Sequence, residues 1–458
     1  MTTTSDLPDS ASWADLPAVE RRPVTPAGFK AGGLAAGIKA SGRPDLAVII
    51  STAGPAAAAA VFTPNAFAAA PVRLSKANLT ATSGDRRGGF GWAHVVVSTS
   101  GSANAATGAA GEIDQLEIGR MVAAATATDP DWTLHLSTGI IGTRLPLEKV
   151  RIGLASLVPA LEWSDDGWLA AAVALRTTDS KTKVATTTVE LPDAAGRPMT
   201  VTVSGLAKGV GMIHPRMATM LSVIATDADV APETLWGLLR PAAARTWDQL
   251  SVDGDTSTND TVFVLASAAS GAAIAEPGSP AAALLGAAIE AIARDLARQQ
   301  AADGEGASTL ITAAVTGALD DADARAIARA VISSSLVKAA AHGRDPNWGR
   351  IAGAAGNGRL ADAAVLEAAG LPADEAAARA GTPAGLDPDR LRITIAGHLV
   401  FDGKQGGPVE FDRAAAREAM NAPELVLGLD LGLGSGSGEA FGCDLTETYV
   451  IENSEYTT

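Results

Sequence analysis

A segment near the middle of the chain places a basic residue, flexible glycines and a hydroxyl residue ahead of an apolar run. It reads Lys208-Gly-Val-Gly-Met-Ile-His-Pro-Arg-Met-Ala-Thr219-Met-Leu. Threonine Oγ is a weak nucleophile, but a free α-amine on the same residue can take its proton. Thr219 has such an amine only if the Ala218–Thr219 peptide bond is cut. A threonine that begins a strand is also ordinary, so the residue types alone leave both interpretations open.

Two other stretches resemble ligand-binding motifs but lack the residues that those motifs need. In the glycine-rich run 432–438, Ser437 stands where a dinucleotide-binding loop requires its third glycine, and no long helix is predicted to follow. The stretch 253–259 begins like a calcium loop, but Thr258 and Val264 stand where that loop requires Gly and Glu. The sequence also contains neither a Walker A pattern nor a G-x-S-x-G elbow.

Cysteine and histidine are sparse. Cys443 is the single cysteine, so neither an intrachain disulfide nor a cysteine-rich zinc site can form, and we interpret it as structural. The five histidines are scattered, and no pair has the spacing of a helical zinc motif. We therefore expect no metal site.

The composition of the 458-residue chain, 47% apolar and 19% charged, excludes wholesale disorder. The length suits one large domain or two to three ordinary ones. A net charge of −16 repels phosphate backbones and anionic membranes, so we expect neither nucleic acid nor a membrane as partner. Residues 1–20 are polar, unlike a signal peptide, and no apolar run reaches the length of about 18 residues that a membrane helix needs. We expect a soluble, cytoplasmic protein.

The reactive segments must be positioned by a framework of mixed helices and strands. Residues 1–26 are predicted to form a flexible leader. Short β-branched or apolar runs then predict strands over 46–50, 94–98, 200–203, 221–224, 262–265, 391–395 and 425–429. Ala-rich stretches between these runs predict helices, and the irregular alternation favours an α/β or α+β fold over an all-α fold.

Two helices are predicted in detail. Ser279 can cap a helix over 280–300, and Pro280 suits its first turn. Its apolar stripe consists of Leu284, Leu285, Ala288, Ile289, Ile292 and Leu296. A second helix is predicted over 321–341, and the residues expected to face inward are Ala326, Ile327, Ala330, Val331 and Leu336.

The segment around Thr219 is one of several blocks that occur in the order known from one enzyme family. That segment resembles the pattern K-G-x-G-M-[IL]-x-P-x-[ML]-A-T-M-L. The other matching blocks are 28–42, Ser137-Thr-Gly-Ile-Ile-Gly142, Ser251-Val-Asp-Gly-Asp-Thr-Ser-Thr-Asn-Asp260, Asp303-Gly-Glu-Gly306, Arg344-Asp-Pro-Asn-Trp-Gly-Arg350, Cys443-Asp-Leu-Thr446 and Asn453-Ser-Glu-Tyr-Thr-Thr458. The chain thus resembles the glutamate N-acetyltransferase/ornithine acetyltransferase (ArgJ) family over residues 25–458, and so many blocks in register make the resemblance specific.

The resemblance implies a protein that cuts itself. In that family the precursor is cleaved before the Thr of the A-T-M-L block, which is here the Ala218–Thr219 bond. We therefore expect the leader 1–26, an α chain region 27–218 with oxyanion-hole and substrate-binding residues, and a β chain 219–458 that begins with the nucleophile. The implied fold is α/β (α+β), with stacked β-sheets flanked by helices as in DmpA and ArgJ proteins. The cleaved chains are expected to associate as an α2β2 heterotetramer.

The reaction implied by the resemblance is ping-pong acetyl transfer from N-acetylornithine to glutamate, through an acetyl-Thr219 intermediate, in arginine biosynthesis. It requires no cofactor, and acetyl-CoA is an alternative acetyl donor. The implied catalytic residues are Thr219, Thr138 and Gly139, of which the last two form the oxyanion hole. The implied substrate-binding residues are Thr177, Lys208, Thr219, Glu305, Asn453 and Thr458, with Thr178 as the alternative register to Thr177. Lys208 suits a carboxylate, and Glu305 suits a cationic group.

The sequence departs from the family pattern at a few positions. Residues 99–105 carry Thr99 and Ser102 where the family has asparagines, Arg216 replaces a small polar residue, and Thr309 stands where lysine is common. These departures concern the choice of donor and acceptor and leave the cleavage segment intact. The alternatives are a paralogue with another acyl donor or acceptor in a different biosynthetic pathway, a Thr-nucleophile amidohydrolase or aminopeptidase, and an uncleaved binding protein.

Overall fold

The structure is a computed structural model that describes residues 16–214, 220–274 and 276–454. Its strands are β1 Phe29–Leu34, β2 Leu46–Ser51, β3 Ala56–Phe62, β4 Phe90–Ala93, β5 Val95–Ser102, β6 Thr133–Ile140, β7 Lys183–Pro192, β8 Pro198–Lys208, β9 Leu221–Thr226, β10 Asp229–Val230, β11 Leu250–Ser251, β12 Thr261–Ala266, β13 Ala273–Ile274, β14 Leu310–Ala318, β15 Arg392–Ile395, β16 His398–Asp402, β17 Gly407–Pro408, β18 Glu424–Asp430 and β19 Gly436–Cys443. Its α-helices are α1 Ala70–Ser83, α2 Gly108–Thr126, α3 Leu147–Leu157, α4 Asp165–Leu175, α5 Pro232–Arg245, α6 Pro280–Ala302, α7 Asp321–Ser333, α8 Ser335–His342, α9 Trp348–Ala355, α10 Ala363–Ala368, α11 Ala373–Arg379, α12 Arg413–Ala419 and α13 Glu447–Ser454.

The strands form four sheets, of which two are stacked on each other. The six-stranded sheet has the order β4-β3-β12-β9-β8-β7, and the four-stranded sheet has the order β1-β2-β5-β6. Apolar side chains of these two sheets share one core, to which Phe29, Leu134 and Phe263 belong. The seven-stranded sheet has the order β11-β19-β14-β18-β15-β16-β17, and β10 pairs with β13. This arrangement confirms the predicted α/β fold with stacked sheets.

The central strands read as continuous apolar runs because both of their faces are buried. Successive side chains of a strand point to opposite faces. In β12, Phe263 and Leu265 accordingly enter the core between the stacked sheets, whereas Val262 and Val264 enter a second core on the other face. Helices α5 and α6 close that second core, α2 and α3 cover the four-stranded sheet, and α7 packs on the seven-stranded one.

The seven predicted strand segments lie in observed strands, except that His94 and Leu391 precede β5 and β15 by one residue. Helix α6 also confirms its prediction, since the Ser279 hydroxyl accepts the backbone N–H of Ala282 at 3.2 Å. One member of its predicted apolar stripe, Leu284, is nevertheless 48% exposed.

The prediction of one helix over 321–341 is wrong, because the structure has two helices there, α7 and α8. Ser334 adopts an extended conformation between them, and its hydroxyl accepts the backbone N–H of Val337 at 3.3 Å. The new helix start changes the direction of the following side chains. Leu336, predicted to face inward, is therefore 61% exposed.

Neither a membrane-spanning helix nor a metal-binding cluster occurs among the described residues. No helix among them is long and apolar enough to cross a membrane. No group of three or more His, Cys, Asp or Glu side chains among them is arranged to hold a metal ion.

Candidate active site

A cavity of about 280 Å³ opens where β6 and β8 end. The loop that follows α4, the loop that follows α6, the segment before β12 and helix α13 complete its wall. The residues that line it are Ala103, Thr138, Gly139, Ile140, Ile141, Thr177, Thr178, Lys208, Val210, Gly211, Met212, Ser257, Thr258, Asn259, Glu305 and Asn453. The structure thus brings together six residues that the sequence singled out from distant blocks, namely Thr138, Gly139, Thr177, Lys208, Glu305 and Asn453.

Lys208 carries an ammonium group into the wall of this cavity. It is the last residue of β8 and only 3% exposed. Its Nζ donates to Thr138 Oγ1 at 3.3 Å. Burial lowers the pKa of Lys208, and the nearby carboxylates of Asp179 and Glu305 oppose that shift. An ammonium group in the wall of a cavity is suited to receive an anionic group of a ligand.

A buried ion cluster holds two loops of the site in place. Lys183 Nζ lies 2.8 Å from Asp179 Oδ1 and 2.6 Å from Asp303 Oδ2, and all three side chains are buried. Asp179 also accepts the backbone N–H of Gly209 at 2.8 Å. Although burial by itself raises the pKa of Asp179, Lys208 and Lys183 outweigh it and hold this pKa well below its ordinary value. The cluster therefore fixes the loops that carry Thr177, Thr178 and Glu305.

Glu305 presents a carboxylate to the same cavity. Its Oε1 accepts the hydroxyl of Thr178 at 2.8 Å, and its Oε2 accepts Asn453 Nδ2 at 2.9 Å. The carboxylate lies against the backbone of Gly211, where a Cβ atom would stand 2.3 Å from Oε2. A side chain at position 211 would therefore displace the carboxylate. Thr177 lines the cavity as well, but it is Thr178 whose hydroxyl contacts Glu305.

Thr138 and Gly139 lie at the end of β6, where the backbone is tightly enclosed. Gly139 has φ +131°, and a Cβ atom there would lie 2.4 Å from the carbonyl carbon of Gly101 on β5. Only glycine fits both the dihedral angle and the space. Asn259 ties this strand end to the loop before β12, because its Nδ2 donates to the carbonyl oxygens of Ser137 at 2.8 Å and Ala103 at 2.7 Å.

Ala218, Thr219, Arg216 and Thr458 lie outside the described residues. Leu221, the first residue of β9, pairs with Lys208 in the register of β8 and β9. The start of β9 therefore lies beside the lysine that lines the cavity.

Asp260 is a buried acid beside the start of β9 to which the sequence assigned no role. It is 0% exposed, and its Oδ1 accepts the backbone N–H of Met220 at 3.0 Å. Burial raises the pKa of Asp260 well above its ordinary value, although hydrogen bonds from Ser257 lower it. Its position at the end of the Ser251–Asp260 block was the only signal in the sequence.

Three of the departures from the family pattern are buried residues outside the cavity lining. The hydroxyl groups of Thr99 and Ser137 are 2.6 Å apart, and Ser102 Oγ donates to the carbonyl oxygen of Thr143 at 2.7 Å. Thr309 Oγ1 accepts from Arg344 Nη2 at 2.8 Å. None of the three departing residues is among the described residues that line the cavity.

The chain is similar to one family of known proteins over almost its whole length. The model of the ArgJ family matches residues 30–458. The chain is 44% identical to the arginine biosynthesis bifunctional protein ArgJ of Thermosynechococcus vestitus over 448 residues, which cover 94% of this chain and 96% of that protein. The protein of the same name from Thermus thermophilus is 41% identical over 435 residues, covering 94% and 99%. Among solved structures, the chain is similar to ornithine acetyltransferase complexed with ornithine from Mycobacterium tuberculosis, with 38% identity, a TM-score of 0.37, and coverage of 43% of this chain and 97% of that one. Because the family model matches almost from end to end, and the relatives align over nearly their whole lengths, the chain belongs to the ArgJ family.

Proposed function

We propose that this protein is an acyltransferase that moves an acetyl group from N-acetylornithine to glutamate in arginine biosynthesis. The observation that carries the proposal is the pairing of a buried ammonium, Lys208, with a carboxylate, Glu305, around one cavity at the start of β9. Both substrates are amino acids that carry a carboxylate, and N-acetylornithine also carries a distal ammonium. The names of the relatives, which refer to arginine biosynthesis, support the same pathway.

Substrate binding follows from these charges. Lys208 receives the carboxylate of the substrate, since it lines the cavity and, within the part of the chain that the structure describes, its Nζ hydrogen-bonds to one side chain, that of Thr138. Glu305 receives the distal ammonium of ornithine in a charge-assisted hydrogen bond. Asn453 and Thr178 orient its carboxylate through their hydrogen bonds. Thr177 and Thr458 complete the proposed binding set.

The nucleophile is first released by self-cleavage. Thr219 Oγ attacks the carbonyl carbon of Ala218, the peptide bond becomes an ester, and the α-amine of Thr219 is freed. Water then hydrolyses the ester, which yields chains 1–218 and 219–458 and restores the hydroxyl group. Thr219 now carries both a nucleophile and a base, because its α-amine can accept the Oγ proton.

Acetyl transfer proceeds in two steps: the donor acetylates Thr219, and the acceptor then removes the acetyl group. Oγ bonds to the acetyl carbon of N-acetylornithine while its proton passes to the α-amine. Donors at Thr138 and Gly139 stabilise the oxyanion. The intermediate then expels ornithine, whose leaving nitrogen takes the proton, and acetyl-Thr219 remains. The amine of glutamate attacks this ester by the reverse sequence. The exchange needs no cofactor, and acetyl-CoA is an alternative donor for the first step.

The experiment that tests the proposal is intact mass spectrometry of the purified protein. We expect two fragments that divide between Ala218 and Thr219, and the mass of one acetyl group on the C-terminal fragment after incubation with N-acetylornithine. Glutamate should then remove the acetyl group and yield N-acetylglutamate. The variant Thr219→Ala should remain a single chain without transferase activity.

Two results would contradict the proposal. A wild-type chain that stays intact at 46.0 kDa and never gains an acetyl group would exclude the self-cleaving mechanism. Rapid loss of the acetyl group to water in the absence of glutamate would indicate a hydrolase instead.

The proposal also includes an α2β2 assembly of two cleaved chains and a cytoplasmic location. Light scattering of the purified protein tests the assembly, and a mass of one 46.0 kDa unit would refute it. Cell fractionation tests the location.

A further inference from the structure

The stretch that leads from the cavity to the proposed cleavage bond contains a strained residue. Met212 has φ +55°, a left-handed conformation that a residue with a Cβ atom adopts only at an energetic cost. It lines the cavity and lies six positions before Ala218 in the sequence. Strained residues persist only where their surroundings determine the conformation.

The carboxylate of Asp253 stabilises the left-handed conformation of Met212. Its Oδ2 accepts the backbone N–H of Met212 at 2.5 Å, and its Oδ1 accepts the N–H of Ile213 at 2.9 Å. Two successive N–H groups directed at one anion form a nest, which requires a left-handed residue of the kind found at Met212. An aspartate can accept both groups at once, whereas an asparagine has a single acceptor oxygen.

Ile213 is fixed on its other side as well. Its carbonyl oxygen accepts the backbone N–H of Val252 at 2.8 Å, and its side chain is 0% exposed. The direction in which the chain leaves Ile213 is therefore set by Val252 and Asp253. The hydroxyl of Tyr449 on α13 also interacts with the Asp253 carboxylate, so the nest is joined to the C-terminal helix.

Met220, which follows the proposed cleavage bond, is held by residues of the same loop, 252–261. Asp260 accepts the N–H of Met220, and the N–H of Thr261 donates to the carbonyl oxygen of Met220 at 3.1 Å. Ile213 and Met220, the described residues on either side of the proposed cleavage segment, are thus both held by residues 252–261. The attack of Thr219 on the carbonyl group of Ala218 is intramolecular and needs one backbone geometry. Fixing both ends reduces the number of conformations that compete with it.

We propose that Asp253 is a positioning residue for self-cleavage, which holds Met212 in its left-handed conformation and thereby fixes Ile213, the residue from which the chain continues toward the Ala218–Thr219 bond. The proposal rests on the self-cleavage described above. In this role Asp253 acts before the bond is cut.

The test compares Asp253→Asn with Asp255→Asn in time courses of fragment formation. Asp253→Asn removes one acceptor and turns an NH2 group toward a backbone N–H, so we expect cleavage to slow at least ten-fold. Asp255 lies in the same loop but is exposed, and Asp255→Asn makes the same change of charge without touching Met212 or Ile213. It should cleave at the wild-type rate. In the uncut Thr219→Ala background the two variants should have similar melting temperatures, which shows that slower cleavage does not come from a damaged fold.

A rescue variant separates positioning from damage to the fold. Glycine adopts positive φ without the cost that methionine pays, although it does not enforce that conformation. Adding Met212→Gly to Asp253→Asn should therefore restore part of the cleavage rate. Cleavage of Asp253→Asn at the wild-type rate would overturn the proposal, and so would an equal loss of cleavage rate in Asp255→Asn or a deficit that Met212→Gly does not relieve at all. A wild-type chain that remains uncut would instead refute the self-cleavage itself.

Discussion

Lys208 and Glu305 bring opposite charges to one cavity, and the structure holds them differently. The lysine is buried at the end of a strand, whereas the glutamate depends on hydrogen bonds from Thr178 and Asn453. A carboxylate held in this way can turn toward a cation without disturbing the core. We therefore expect substitutions at Glu305 to alter substrate binding more than folding.

The prediction for Glu305→Gln follows from this difference. The change removes the negative charge but keeps the shape, so the KM for N-acetylornithine should rise about ten-fold, the scale of one charge-assisted hydrogen bond. The KM for glutamate, which has no distal ammonium, should change much less. Steady-state kinetics with each substrate varied in turn measures both values. Glu447→Gln, an exposed glutamate paired with His342, is the matched control. Equal KM increases for both substrates would contradict the assigned role.

Asp260 should make the stability of the protein depend on pH. Its pKa is raised in the folded protein, whereas in the unfolded chain it is about 3.9. The stability that the neutral acid contributes is therefore complete below about pH 4 and declines as the pH rises toward the folded value. Asp260→Asn, made in the uncut Thr219→Ala background, mimics the neutral acid at every pH. Its melting temperature relative to that of the parent should thus increase from pH 4.5 to pH 8. Parallel curves would show that Asp260 is ionised in the folded protein.

Some of these residues could be identified from the sequence and others could not. Lys208 and Glu305 stand inside motif blocks, so the resemblance pointed to them directly. Lys183 stands in no such block, and its role depends on Asp303, 120 positions further along the chain. Because the tertiary fold brings Lys183 and Asp303 together, no local pattern in the sequence could indicate that Lys183 stabilises the site.

At the scale of elements, a helix was predicted correctly where the sequence contained signals for both its start and its buried face. Helix α6 had a cap, a proline in its first turn and a continuous apolar stripe, and it was predicted with an error of two residues at one end. The stretch 321–341 had a similar apolar pattern, but Ser334 can both continue a helix and cap a new one. Tertiary packing decides between these two roles, which explains why one long helix was predicted in place of α7 and α8.

The junction of β5 and β6 offers a test of how closely two strands pack at the site. Gly139 and Gly142 both have positive φ, but a Cβ atom would meet Gly101 at position 139 and open space at position 142. Both alanine substitutions should lower the free energy of unfolding by about 1–2 kcal/mol, because alanine is strained at positive φ. Gly139→Ala should cost at least twice as much as Gly142→Ala, because it also forces the strands apart.

Thermal unfolding of the two alanine variants measures this difference. Gly139→Ala should in addition slow cleavage and transfer, since it moves the proposed oxyanion donors, whereas Gly142→Ala should remain active. Similar melting temperatures for the two variants would mean that the strands can separate at little cost.

At the scale of the whole molecule, the fold class followed from the sequence but the order of the strands did not. The alternation of apolar runs and helical stretches predicted a layered α/β protein. Nothing local indicates that β3 pairs with β12, about two hundred residues later, or that β9 lies between β8 and β12. These pairings join the N-terminal and C-terminal halves into one sheet.

This strand order determines how the protein should behave after self-cleavage. In the six-stranded sheet, β12 and β9 of the proposed fragment 219–458 lie between β3 and β8 of the fragment 1–218. The core between the stacked sheets likewise combines Leu206 of the first fragment with Val223 and Phe263 of the second. Separation would break two lines of strand pairing and expose this apolar surface to water.

We therefore expect the cleaved fragments to elute together in native size-exclusion chromatography, at 46.0 kDa or a multiple of it, and to separate only in denaturant. The uncut variant Thr219→Ala is the matched control and should elute at the same position. Its melting temperature should also be similar, because cleavage removes one peptide bond while the sheet and its core stay in place. Fragments that separate in native buffer would contradict the interleaved order of the strands, since no fragment could leave that sheet without unfolding it.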